Sequence, residues 1–186
     1  SFATDGEDRL AGQVAIRETE TGARGFDVAI DGDVRPLLTP ENREFFGPNL
    51  SLAVAGQRLQ SGALEIDNLD LASDAINLSG NLALSDQQWP VRFSLQGEMA
   101  GPDGGRVALP IPGQETLLDR AIIDITYDSE AGDGWQADIS VENLERPDLA
   151  ARSFGLDGSG TITRGDGADR QGGATGDIEI AADGLA

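Results

Sequence analysis

GALEIDNLDLASDAINLSGNLAL, residues 62–84, is the stretch that decides the fold. Leu64 and Ile66 alternate with polar neighbours, Leu69 and Leu71 do the same one step out of phase, and Ile76 and Leu78 continue through Gly80 to Leu82 and Leu84. A period of two sends successive side chains to opposite faces, so each run reads as a β-strand with one apolar side. The change from even to odd positions at Asn68 would throw Leu69 and Leu71 to the wrong side unless a turn, bulge or bend lies there.

The alternation spreads outward from this stretch. Upstream it takes in Val14 and Ile16, then Phe26, Val28 and Ile30, then Leu52 and Val54. Downstream come Val91, Phe93 and Leu95; Val107, Leu109 and Ile111; Ile123, Ile125 and Tyr127; and Trp135, Ala137, Ile139 and Val141. Leu156, Gly158, Gly160 and Ile162, then Ile178 and Ile180, complete the series. The pattern predicts about a dozen strands. Asp31-Gly32, Asp103-Gly104-Gly105, Asp133-Gly134 and Gly165-Asp166-Gly167 supply the turns between them, and 128–135 is the clearest hairpin.

Residues 37–48, LLTPENREFFGP, break the β pattern. Thr39 at the cap, Pro40 in the first turn, Glu41 at the positive end of the dipole and Gly47-Pro48 as a stop predict a helix of about two turns. Its Phe45 and Phe46 are candidates to plug an opening or, equally, to pack as an ordinary loop helix on the core. Residues 164–175 hold no apolar residue larger than Ala and read as a flexible loop. The subregions expected are strands over 1–36, a helical insert at 37–48, the main groove over 49–163, this loop, and a terminal strand over 176–186.

Composition narrows the functions open to the chain. Thirteen arginines against 33 acidic residues give a net charge of −20, which repels nucleic acid and predicts no such partner. With no Cys and no His, disulfides, thiol catalysis, zinc-finger spacing and the commonest general base are all excluded. No run approaches the roughly 18 consecutive apolar residues of a membrane helix. The start at Ser1 suggests a piece of a longer protein whose anchor or export signal lies elsewhere. Acidic pairs such as Asp67 with Asp70, or Asp124 with Asp138, read as a solvated face rather than an acid/base or calcium site, because no calcium-loop spacing surrounds them. No catalytic residue, cofactor or metal is predicted, and the chain is not expected to be an enzyme.

Three stretches carry a family resemblance: DGDVRPLLTPENREFF at 31–46, the opening stretch at 62–84, and 134–162 with Asn143-Leu144, Arg146-Pro147-Asp148-Leu149 and Gly158-Ser159-Gly160. The chain resembles the TamB-like branch of the AsmA-like bridge proteins that carry lipid, over about residues 10–185. The resemblance implies an all-β fold: a long, curved, mainly antiparallel sheet forming an open trough, polar outside and apolar inside. It further implies a periplasmic location with the whole protein anchored in the inner membrane, phospholipid acyl chains as cargo, and a role in outer-membrane biogenesis. The TamA-like barrel partner of that family would be met through parts outside this chain.

The expected lining is Phe26, Val28, Ile30, Leu52, Val54, Leu64, Ile66, Leu69, Leu71, Ile76, Leu78, Leu82, Leu84, Val91, Phe93, Leu95, Ile123, Ile125, Tyr127, Ile139, Val141, Leu156 and Ile162. The same residues could instead form a sealed core, giving a structural or adhesive β-solenoid, or they could enclose one ligand in a soluble lipid carrier. An aspartate at Ile76 or Ile125 separates a lining from a sealed core.

Overall fold

The computed structural model describes residues 2–4, 7–19, 22–163 and 173–185. Thirteen strands belong to one antiparallel sheet that does not close into a barrel. They are β1 (Phe2–Thr4), β2 (Glu7–Glu18), β3 (Arg24–Gly32), β4 (Leu50–Arg58), β5 (Leu64–Ala72), β6 (Ile76–Leu84), β7 (Pro90–Ala100), β8 (Val107–Ala108), β9 (Leu117–Leu118), β10 (Arg120–Asp128), β11 (Gly134–Arg146), β12 (Leu149–Thr163) and β13 (Gly173–Asp183). Eleven of them run in sequence order from β1 to β13, and only β8 and β9 leave the path, as a small ribbon paired to β11. Short turns join many of these strands, and the longer connections at 33–49 and 101–119 still return the chain beside the strand it left, so the path is a simple meander. At about 4.8 Å per strand, eleven strands make a sheet on the order of 50 Å long.

The parity change in the opening stretch is resolved by a bulge. Ile66 pairs Leu82 and Leu69 pairs Gly80, so Asp67 and Asn68 together stand opposite Asn81. The extra residue restores Leu69 and Leu71 to the face of Leu64 and Ile66, and Asn68 is exposed with its amide donating to Asp70 at 2.6 Å. The predicted hairpin is also present: Asp128 pairs Gly134, the Asp128 carboxylate accepts from the Glu130 amide at 2.8 Å, and Asp133 takes φ 58° to close the turn.

Helix α1 spans Pro40–Phe46, preceded by a 3-10 turn at Arg35–Leu37. Thr39 stands at its N-cap position but makes no side-chain capping bond, so the proline rather than the threonine sets the start. Gly47 ends the helix at φ 60°, and its absent side chain makes room for the Asp74 carboxylate, 2.1 Å from where a Cβ would sit. The expected strand over Val107, Leu109 and Ile111 shrinks to Val107–Ala108, with Ile111 48% exposed. The predicted loop at 164–175 lies outside the described residues except for 173–175, which belong to β13.

Candidate functional site

Pair-by-pair register turns the sequence alternation into continuous rows across the sheet. One row runs Ile30, Leu52, Leu71, Leu78, Gly97, Ile123, Ile139, Leu156 and Ile180, each the direct cross-strand partner of the next. A second runs Val14, Val28, Val54, Leu69, Gly80, Leu95, Ile125, Ala137, Gly158 and Ile178. A third runs Ile16, Phe26, Gly56, Ile66, Leu82, Phe93, Tyr127, Trp135, Gly160 and Gly176. Ile76 with Val141 on one side, and Leu64, Leu84, Val91 and Ile162 on the other, follow the same parity, so all the lining residues expected from the sequence share one face.

That face is neither sealed nor bare. The predicted lining residues are half-buried, with the exception of Tyr127, which is 2% exposed. A two-layer core would bury most of them completely; here one layer of aliphatic side chains packs edge to edge and stays partly wettable.

Glycines shape the surface, and the sequence alternation passed over their role. A Cβ at Gly80 would lie 2.3 Å from the Ser94 carbonyl, and one at Gly97 2.6 Å from Leu78 Cδ1. At the β11–β13 end Trp135 is drawn across the gap, its ring 2.8 Å from a Cβ position at Gly158 and 2.6 Å from one at Gly176. Its indole N–H donates to the Thr175 carbonyl at 3.2 Å. Phe93 and Tyr127 stack beside it with ring centroids 5.5 Å apart. Burial and then the nearby Asp133 carboxylate push the Tyr127 phenol above its usual range.

One margin of the face is covered. Phe45, Ala75, Val107, Leu118 and Ala121 form a buried cluster, with Phe46, Ile76, Met99, Leu109 and Val141 packed against it. Phe45 and Phe46 meet edge to face at 5.1 Å between centroids. The candidate plug thus sits over the Ile76–Met99–Ala121–Val141 margin together with the β8–β9 ribbon, and it covers that rim rather than blocking the length of the trough. Of the ribbon, the sequence marked only β8, inside the longer run expected over Val107, Leu109 and Ile111; the two-residue β9 has no period to read.

The opposite face is hydrophilic. Asp124, Asp138, Asp157 and Glu179 are direct partners on four successive strands. A hydrogen bond shared with Asp157, then burial and the charges of Asp157 and Asp124, push the Asp138 carboxyl up. Near α1, Asp33 is clamped by Arg35 through two side-chain bonds of 2.8 Å each, which hold its pKa down to about 2. A hollow of about 850 Å³ follows the Phe93–Tyr127–Trp135 row, but its walls also take Glu65, Arg92 and Asp128 on one side and Ser94, Thr126 and Gln136 on the other. Ile66 and Leu82 of the same apolar row line it as well, so the hollow takes both apolar-row and polar residues. Among the described residues no group of three or more acidic side chains is arranged to hold a metal ion.

No protein-family model, curated protein or solved structure matches this chain. The fold and the face together define an open, single-layer antiparallel trough.

Proposed function

We propose that the apolar face shields lipid acyl chains and lets them move along the sheet, as a segment of a TamB-type bridge between inner and outer membranes in the periplasm. The single observation that carries this reading is the unbroken set of apolar rows, in register from β3 to β12 and only half-buried. Each methylene moved out of water gains about 0.8 kcal/mol, so a chain of about 16 carbons avoids a cost on the order of 10 kcal/mol by lying there. Because each strand repeats the same aliphatic chemistry, a shift by one strand spacing alters that energy little. Movement along the trough is easy while escape into water is costly.

The test is photo-crosslinking from a probe at Leu95, with bound lipid identified by native mass spectrometry, in the original chain and in Ile125→Asp. The expected result is lipid crosslinks that disappear in the variant while its β-sheet circular dichroism is kept. Absence of lipid from the original chain, or unfolding of Ile125→Asp, would overturn the reading and favour a sealed scaffold. Ile125 suits this test better than Ile76, since Ile76 belongs to the packed margin under α1.

A further inference from the structure

Arginines on this acidic chain are, for the most part, matched with carboxylates. Arg17 pairs Asp27, Arg120 reaches Glu98 at 2.7 Å, Arg152 reaches Asp183 at 3.0 Å, and Arg106 bridges Asp119 and Glu145. Four arginines among the described residues have no carboxylate partner: Arg43, which donates to the Leu38 carbonyl, Arg92 on the hydrophilic face of β7, and the pair Arg24 and Arg58, which alone of the four stand side by side. Arg24 and Arg58 are direct cross-strand partners on β3 and β4, which places their Cα atoms about 4.5–5.5 Å apart. Both are exposed, and neither makes a hydrogen bond or ion pair among the described residues, although Glu18 stands opposite Arg24 on β2. Like charges set directly opposite each other weaken a sheet unless an anion lies between them.

Their position fixes what kind of anion could lie between them. Arg24 shares parity with Phe26 and Val28, and Arg58 with Gly56 and Val54, so both guanidinium groups leave on the apolar face, one step outside the Phe26–Gly56–Ile66 row. The Phe26 ring closes over Gly56, 3.0 Å from its Cβ position, so the aliphatic surface begins immediately inside the pair. This rim lies across the strands from the margin that α1 covers.

We propose that Arg24 and Arg58 together bind the phosphate of an amphiphile whose hydrocarbon chain lies on the adjoining apolar rows. This inference rests on the lipid reading above and adds to it a headgroup class. Two planar forks side by side suit a tetrahedral oxyanion, and the charge-assisted bonds they offer are about twice as strong as neutral ones.

The experiment compares three probes by isothermal titration calorimetry, the protein being titrated into dilute solutions kept below the solubility limit of the alcohol: dodecyl phosphate, dodecanol and inorganic phosphate. It uses the original chain, Arg24→Gln/Arg58→Gln, and a lysine pair at the same positions. The original chain is expected to bind dodecyl phosphate about tenfold more tightly than dodecanol, and the glutamine pair to bring the two to parity without changing dodecanol. The lysine pair should recover part of the preference, which a purely structural role for the arginines would not predict. Equal binding of the two amphiphiles by the original chain, or a preference that survives in the glutamine pair, overturns the headgroup site and leaves the trough standing. Failure of either amphiphile to bind overturns the trough and this site together. Inorganic phosphate binding as tightly as dodecyl phosphate would assign the arginines to free phosphate and overturn the lipid assignment.

Discussion

The margin beneath α1 and the strand β13 carry the same alternating pattern and have opposite fates. Where the helix and the β8–β9 ribbon meet the sheet, Leu118 and Val107 of the ribbon are 1% and 3% exposed and Ala121 of β10 is 1% exposed. Along β13 every described residue is exposed, and Ile178 and Ile180 are 60% and 62% exposed although they stand in register with the rows of the trough. Alternation therefore decides which face is oily, while separate elements decide where that face is covered. Complete burial concentrates under the cover, and most of the remaining face stays half-buried or exposed.

Mutations should expose this contrast most sharply. Leu118→Ala is expected to cost about 2–5 kcal/mol in urea unfolding, by lost burial and a residual cavity, whereas Ile180→Ala stays within about 0.5 kcal/mol. Equal losses at the two sites would mean that β13 is covered as well as the margin is. Within the trough, Gly80→Val should cost roughly 1–3 kcal/mol because its Cβ meets the Ser94 backbone, which has nowhere to go. Gly155→Ala, with nothing within 4 Å of its Cβ position, serves as the tolerated control in the same assay.

Electrostatic effects come next and are smaller. The Asp138 carboxyl is raised, so the folded chain holds its proton more tightly than the unfolded one. Lowering the pH through that raised value relieves repulsion and adds stability, and at neutral pH the repulsion acts in full. Asp138→Asn should thus raise the melting temperature at pH 7, with the gain shrinking as the solution is acidified; a gain that does not shrink would rule out charge repulsion as the cause. Asp33 has the opposite sign. Held at about 2 by its bonds to Arg35, it contributes stability above the ordinary aspartate range, near pH 4, that is lost as the pH falls toward 2. Asp33→Asn should lower the melting temperature at neutral pH and flatten the acid limb over that interval, the two chains converging as the pH approaches 2.

Sequence periodicity made the fold and its apolar face legible for a physical reason: strands of a meander inherit their face from parity, and parity is written in single residues. Even the Asp67–Asn68 bulge was signalled, since the apolar residues change phase there. Three features had no such signal. The two-residue β9 is too short to have a period, the Trp135 ring covers glycines on strands that arrive later in the chain, and the exposure of β13 depends on what lies over it. The Arg24–Arg58 pairing was hidden too, because its members are 34 positions apart and meet only through register.

Trp135 has a practical consequence. The chain holds two tryptophans, and while Trp89 belongs to the turn before β7, Trp135 lies flat on the oily side across Gly158 and Gly176. On the proposed lipid reading its emission would be a built-in optical gauge: in a Trp89→Phe background, a bromine-bearing hydrocarbon reaching that point would dim the remaining fluorescence and report its arrival without any attached label.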